Sequence, residues 1–381
     1  MQNIGVKVTG LQCPIIREGD PLIKIVADTV LGSGLEINDR DIVGITESVV
    51  ARAYGLYVTV DDIARDIKEK FGENAVLALI NPIYSRNRFS MILKGIARAA
   101  KKIIFVMPIY DEVGNPRGVN PFTGVNIEEY YTEICKQENC EVEILHELRT
   151  IWNDNPNLIY PGIDYVKDHI DCYIDCSLHP YIADGKSWSS LGLHSWYCFH
   201  PLCTLVDLCS KQNPDYGLLG SNKATEEKLK LFPTKQVGAA FVRMVQQVIF
   251  DRTGKWVEVM IYGDGCFKSP SHKGVSIWEF ADPVVSPAYT DGLVGTPNEI
   301  KIKAFADDEF AKLSGDELTE AVKAKIRTKE SNLVGNMASQ GTTPRCYVDL
   351  LGSLMDLTSG SGDKGTPIVV VQNYFNNYST C

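Results

Sequence analysis

Residues 39–55, DRDIVGITESVVARAYG, decide how this chain is read. Residues 41–46 form a short apolar run with Gly44 inside it. Thr46-Glu47-Ser48 then opens a helical pattern with apolar Val49, Val50 and Ala53, basic Arg52 and a stop at Gly55. A strand that feeds a polar helix start leaves backbone N–H groups unbonded at the positive end of the helix dipole. Such a junction suits a phosphate or a carboxylate. An ordinary strand-to-helix turn carries the same pattern.

Outward from that stretch, strands and helices alternate up to residue 150. Residues 6–8 read as a strand. Asp20 starts a helix with Leu22, Ile23, Val26, Ala27 and Val30 on its apolar face. Residues 59–71 repeat Ile63, Ile67 and Phe71 at four-residue spacing, and residues 88–101 are again helical. Residues 102–107 read as a buried strand stopped by Pro108, Asn126 caps a helix over 127–137, and 141–145 return as a strand. The period weakens over 151–232, where Pro, Trp, Tyr, His and Cys dominate. From residue 233 a helix with Val237, Phe241, Val245 and Ile249 on one face ends near Gly254, followed by a strand over 256–262 and Asp264 between two glycines. A charged helix over 316–330, a helix over 347–357, a Gly/Ser/Asp loop over 359–365 and a strand over 367–371 complete the chain. The expectation is an α+β fold with three parts: an α/β part over 1–150, an irregular Cys/His/aromatic-rich insertion over 151–232, and an α+β part over 233–381.

Composition narrows the function classes. The chain has 381 residues, 44% hydrophobic and 23% charged, with net charge −10. It has no basic excess to displace counterions, which argues against a nucleic-acid partner. No apolar stretch reaches the roughly 20 residues that span a bilayer, and the N-terminus lacks a secretion signal. A cytoplasmic protein is expected, with its 11 cysteines mostly free thiols and not a disulfide frame.

Several segments together resemble the coenzyme F420-0:L-glutamate (gamma-glutamyl) ligase family. They are Val8-Thr9-Gly10-Leu11 with residues 16–20, residues 41–55, YGLLGSN at 216–222 with the run 229–233, Thr253-Gly254-Lys255 with the strand and Asp264, and Val348-Asp349 with GDKGTPIVVV at 362–371. Their order and spacing agree with the family, whereas residues 72–215 are longer than expected and match poorly. The resemblance implies an α+β fold in which N- and C-terminal segments pack together, a homodimer, GTP as co-substrate and Mg²⁺ or Mn²⁺ as cofactor. It implies that GTP phosphorylates a small carboxylic acid and that the amino group of glutamate, or a similar amino acid, then displaces phosphate to give an amide.

Phosphoryl transfer to a carboxylate gathers negative charge, so cations and oriented donors are required. Asp264 is the expected catalytic and metal-binding carboxylate, Asp349 a second metal ligand, and Arg52 a catalytic cation able to hold phosphate bidentately. Glu47, Ser48, Ser221, Asn222, Lys268 and His272 are expected to contact nucleotide or substrate, as are Arg86 and Arg88 in the basic run 84–88. An aspartate of the family motif falls on Leu219, and a leucine cannot bind a metal ion; Asp215 and Glu47 are the candidates to replace it. Two rival readings remain open. One is a non-catalytic ligand-binding protein on the same fold. The other is a zinc hydrolase built on Cys172, Cys176, His179, His194, Cys198, His200, Cys203 and Cys209.

Overall fold

The computed structural model describes residues 5–80, 82, 86–108, 118–119, 124–147, 170–176, 202–263, 266–268, 278–280, 288–333, 336–339, 346–359 and 362–380. The N-terminal elements are β1 (Lys7–Leu11), α1 (Leu22–Gly32), β2 (Ile42–Thr46), α2 (Glu47–Ala53), β3 (Tyr57–Thr59) and α3 (Val60–Phe71). Next come β4 (Val76–Ile80), α4 (Arg86–Ala99), β5 (Lys102–Pro108), α5 (Ile127–Gln137), β6 (Glu141–Glu147), β7 (Cys172–Asp175) and β8 (Leu202–Thr204). The rest of the chain gives β9 (Asn222–Lys223), β10 (Lys228–Lys230), α6 (Lys235–Thr253), β11 (Glu258–Tyr262), β12 (Cys266–Lys268), β13 (Trp278–Phe280) and β14 (Ala288–Tyr289). Helices α7 (Ile302–Asp307), α8 (Gly315–Arg327) and α9 (Tyr347–Ser359) precede the last strand, β15 (Ile368–Gln372).

The fold is mixed, with helices packed on several sheets. One five-stranded sheet runs β1-β15-β2-β11-β14. It draws together both ends of the chain: β15 lies antiparallel between β1 and β2, and β11 runs parallel to β2. Residues of β2, β11 and β15 are buried on both faces, so these strands read as continuous apolar runs instead of alternating ones. On one face Val26, Val30, Phe241, Val245 and Ile249 of α1 and α6 pack against Val43, Ile45, Val259 and Ile261. On the other, Leu351 and Met355 of α9 pack against Ile42, Met260, Tyr262 and Val369.

A second five-stranded sheet lies within the segment that matches the family pattern poorly. Its order is β6-β5-β4-β7-β8 and every pairing is parallel. The chain thus winds outward from β4 in one direction and from β7 in the other, as a doubly wound sheet does. The described part of the stretch 151–232, expected as an irregular insertion, carries short strands. It contributes β7 and β8, which complete this sheet, and β9 and β10. The strands are two to four residues long, and β7, buried on both faces, shows no alternation to read.

The helix ends follow local chemistry. Thr59 caps α3 in a reciprocal capping box with Asp62, Asn126 caps α5, and Thr234 caps α6, which stops at Gly254 in a left-handed conformation (φ 70°). Asp20 does not cap α1. Pro21 occupies that position, and the Asp20 carboxylate accepts the Arg17 N–H at 2.6 Å.

A third sheet has the order β3-β10-β9. Leu229 and Val58 point from it into the core of the parallel sheet. Ion pairs reinforce that junction: Lys94 and Arg98 of α4 reach Glu227 beside β10, and Arg98 also holds Asp61 and Glu138. Asp66 of α3, nearly fully buried, bonds Lys70 and accepts the Cys209 N–H at 2.8 Å.

Candidate functional site

The parallel pair β2 and β11 ends in register, with Thr46 beside Tyr262. The chain therefore leaves both strands at the same end of the sheet, into Glu47-Ser48 on one side and Gly263 on the other. In open α/β sheets ligands collect at the carboxyl ends of parallel strands; this sheet is mixed, with β2 and β11 as its parallel pair. Thr46 donates its N–H to the Pro367 carbonyl at 3.0 Å, and the Tyr262 hydroxyl approaches the same oxygen at 3.5 Å. Burial pushes the Tyr262 hydroxyl well above its ordinary pKa; a hydrogen bond with Ser359 opposes this, and the charges of Asp356 and Glu47 add to it. Those interactions gather Glu47, Tyr262, Asp356 and Ser359 at one end of the sheet.

Helix α9 reaches that end because Gly44 lets it. A Cβ at Gly44 would stand 2.1 Å from Met355 Sδ. The helix runs in the direction of β2. Its first turn lies at the far end, where the Tyr347 N–H meets the Gly295 carbonyl, the Tyr347 ring packs on Tyr374 and Phe375, and the Arg40 guanidinium lies over Phe375. Asp349 belongs to that first turn. It is two turns, about 10 Å, from Asp356, so the structure does not bring it together with Glu47 and Tyr262.

The other expected site residues divide clearly. Glu47 is buried and Ser48 half-buried at the start of α2. Ser48 Oγ receives the Lys230 ammonium, and Arg52 lies four residues on, on the same side of α2. Asn222 pairs with Lys230 across β9 and β10. Ser221 is fully buried, and its Oγ is the one buried side-chain atom without a hydrogen-bond partner among the described residues. Leu219 is a core residue, and Asp215 is engaged as acceptor for the Lys235 N–H at 2.8 Å, next to the α6 start. Neither supplies a carboxylate to the strand ends.

Asp264 and His272 lie outside the described residues, as do the side chains of Arg86, Arg88 and Lys268. The backbone of Arg86 opens α4, and that of Lys268 ends β12.

Lys230 is not among the site residues expected from the sequence. Its signal is the alternation Lys228-Leu229-Lys230-Leu231, a half-buried strand with apolar residues turned inward and lysines outward. The register places Tyr57, Lys230 and Asn222 side by side on the half-exposed face of the third sheet.

The central cysteines read otherwise than as a zinc centre. Cys172, Cys176, Cys203 and Cys209 are part of the core of the parallel sheet. Burial pushes the thiols of Cys172 and Cys209 up to about 12 and that of Cys203 higher. A zinc ligand is a thiolate, so an apolar setting opposes that role. Among the described residues no three His, Cys, Asp or Glu side chains are grouped to hold a metal ion. His179, His194, Cys198 and His200 lie outside the described residues.

The family model described as F420-0:Gamma-glutamyl ligase matches residues 10–373. No curated protein matches the chain. Among solved structures, eIF2B beta from Chaetomium thermophilum is 9% identical, with 38% of this chain and 40% of that chain covered at a TM-score of 0.21. The tetrameric eIF2B-beta2-delta2 complex from C. thermophilum gives 9% identity, 38% and 42% coverage and a TM-score of 0.23. The present chain thus spans less than half the length of either, and likeness at that level bears on neither fold nor function.

Proposed function

The chain belongs to the F420-0:gamma-glutamyl ligase family, and from that premise we propose that it joins glutamate, or a similar amino acid, to a small carboxylic acid at the expense of a nucleoside triphosphate. Membership implies a ligase acting on small molecules. The observation that carries the finer reading is the common end of β2 and β11, where Glu47, Ser48, Tyr262 and Asp356 gather.

In the proposed reaction the acid's carboxylate oxygen attacks the terminal phosphorus of the nucleotide, here GTP, and the nucleoside diphosphate leaves. The amino nitrogen then attacks the acyl carbon, the amide bond forms, phosphate departs with the bonding pair, and the nitrogen loses a proton. Arg52 offsets charge on the transferring group, and Ser48 and Asn222 donate hydrogen bonds to anionic oxygens. Carboxylate oxygens fit a hard divalent cation. Asp264, which follows Gly263 in the sequence, would hold Mg²⁺ or Mn²⁺, together with Glu47 and Asp356, whose charges act on Tyr262. The second ligand role passes from Asp349 to Asp356, because Asp356 is the α9 carboxylate near Tyr262. The bound cation would neutralise phosphate charge during transfer. Among the described residues no helix is long and apolar enough to cross a membrane. A cytoplasmic homodimer is part of the same proposal.

The test is thermal unfolding of the purified chain with GTP and Mn²⁺, followed by phosphate release in the presence of candidate acids and glutamate. A rise in melting temperature, with release that needs both acid and amino acid, supports the reading. No shift at millimolar nucleotide would overturn it. Nucleotide binding without any release would favour a non-catalytic binding protein.

A further inference from the structure

Strand β11 carries Val259, Met260 and Ile261 into the interior and then ends on Tyr262, which is fully buried. Burying a hydroxyl costs free energy unless it is hydrogen-bonded. A phenylalanine would fill nearly the same volume without that cost. What distinguishes tyrosine at this position is therefore the set of bonds its hydroxyl makes.

Those bonds run to two separate segments. The Tyr262 O–H donates toward the Pro367 carbonyl at 3.5 Å, the same oxygen that receives the Thr46 N–H at 3.0 Å. Thr46 leads directly into Glu47. On the other side the Tyr262 oxygen accepts from Ser359, whose hydroxyl also donates to the Asp356 carbonyl at 3.1 Å. The Thr366 hydroxyl holds the same residue by donating to the Ser359 carbonyl at 2.6 Å. Tyr262 itself precedes Asp264 by two residues. One buried hydroxyl thus joins the start of α2, the end of α9 and the end of β11, which carry Glu47, Asp356 and Asp264 in the sequence.

We propose that Tyr262 is a positioning residue that fixes the spacing of these carboxylates around a divalent cation. The role rests on the ligation reading for the choice of those carboxylates as cation ligands. The ring is held in place: it packs among Ile42, Met260, Leu351, Met355 and Val369, and a Cβ at Gly44 would stand 3.2 Å from it. The hydroxyl is therefore a fixed point to which the mobile ends are tied. The Pro367 contact is at the long limit of a hydrogen bond, so the Ser359 side carries more of the tie and Asp356 depends on it most. Carboxylates gathered at one place repel one another, and a tie through the backbone keeps them together until a cation neutralises them.

Electron paramagnetic resonance of free Mn²⁺, titrated into the full chain without nucleotide, reads cation affinity apart from turnover. Wild type should bind Mn²⁺. Tyr262→Phe should weaken that binding about tenfold, the lower end of the range for groups that orient metal ligands, and Ser359→Ala should weaken it to a similar extent. Tyr347→Phe, at the opposite end of α9, should bind as wild type does. In phosphate release, Tyr262→Phe should raise the half-saturating Mn²⁺ concentration by the same factor and approach wild-type kcat once Mn²⁺ saturates. Circular dichroism melting confirms that each variant is folded; should Tyr262→Phe not fold, Ser359→Ala carries the test. A folded Tyr262→Phe protein with wild-type Mn²⁺ affinity overturns the positioning role and leaves the ligation reading standing. The expected loss of affinity in a chain that releases no phosphate upholds the role and removes the ligation. No Mn²⁺ binding by wild type overturns the role together with the cation part of that reading.

Discussion

Met355 lies directly over Gly44, so that a Cβ at Gly44 would stand 2.1 Å from its sulfur and 3.2 Å from the Tyr262 ring. This contact seats α9 on β2 and carries Asp356 and Ser359 to the strand ends. Gly44→Ala should cost about 1–3 kcal/mol, the range for overpacking a filled core, softened to the extent that the flexible thioether can move. Combining it with Met355→Ala should cost less than the two single changes added together, because the second removes the clash of the first. Urea unfolding of the four proteins gives the answer; strict additivity would mean that the two residues do not press on each other.

Carboxylates near the strand ends should matter more than those at the far end of α9. Asp264→Asn is expected to lower turnover roughly 10²–10³-fold, as loss of a charge-stabilising group does. Asp356→Asn should also lower it, and should raise the Mn²⁺ concentration needed. Asp349→Asn should stay within about twofold, because its helix turn faces Tyr374 and Phe375 at the other end of the sheet. Initial rates at several Mn²⁺ concentrations separate the three. An Asp349 variant as impaired as the Asp264 variant would contradict this geometry.

The sequence announced the helices well because their signals are local. Thr59, Asn126, Thr234 and Gly254 each mark a helix boundary by their own chemistry, and α5 falls where Asn126 and the apolar period put it. The strand-to-helix junction at Thr46-Glu47 was equally legible. The parallel sheet was not, because β7 and β8 are short and buried, and β7 is distant in sequence from its partner β4. The site was half legible for a related reason. Glu47, Ser48 and Arg52 sit in one stretch, but Lys230 joins them only through tertiary pairing of β10 with β3. Asp349 and Asp356 share a helix face in sequence. Only the direction of α9 over β2 distinguishes them.

Acid should loosen the start of α3. Burial, the largest single effect on Asp62, raises its pKa, but the Thr59 hydroxyl and N–H and the Arg65 guanidinium outweigh it, so the carboxyl titrates below its ordinary 3.8. A carboxyl lowered on folding adds stability that is present above the unfolded value and is lost as pH falls through the folded one. Asp62→Ala should therefore cost about 1 kcal/mol at pH 7, a typical capping contribution. The gap from wild type should narrow as pH drops below 3.8. Urea midpoints at pH 7 and pH 3 decide it. A gap of constant size would assign the effect to packing instead of charge.

Thiol reactivity should sort by burial. Cys346 is exposed and Cys13 partly so, whereas Cys135, Cys140, Cys172, Cys176, Cys203 and Cys209 are buried. A thiol pushed up to about 12, as at Cys172 and Cys209, is ionised at neutral pH in only a roughly 10⁻⁴ to 10⁻⁵ fraction, and the thiolate is the nucleophile. Cys135 is pushed up as well, by its thiol hydrogen bond with Cys140 and by burial. Iodoacetamide at pH 7.5, with peptide mapping, should label Cys346 first and Cys13 more slowly, and should leave the six buried cysteines unmodified until denaturant is added. Prior treatment with a zinc chelator should not alter that pattern, since burial in the core of the parallel sheet protects these thiols. Labelling of Cys172, Cys176, Cys203 and Cys209 released by the chelator alone would restore the zinc reading of the central segment.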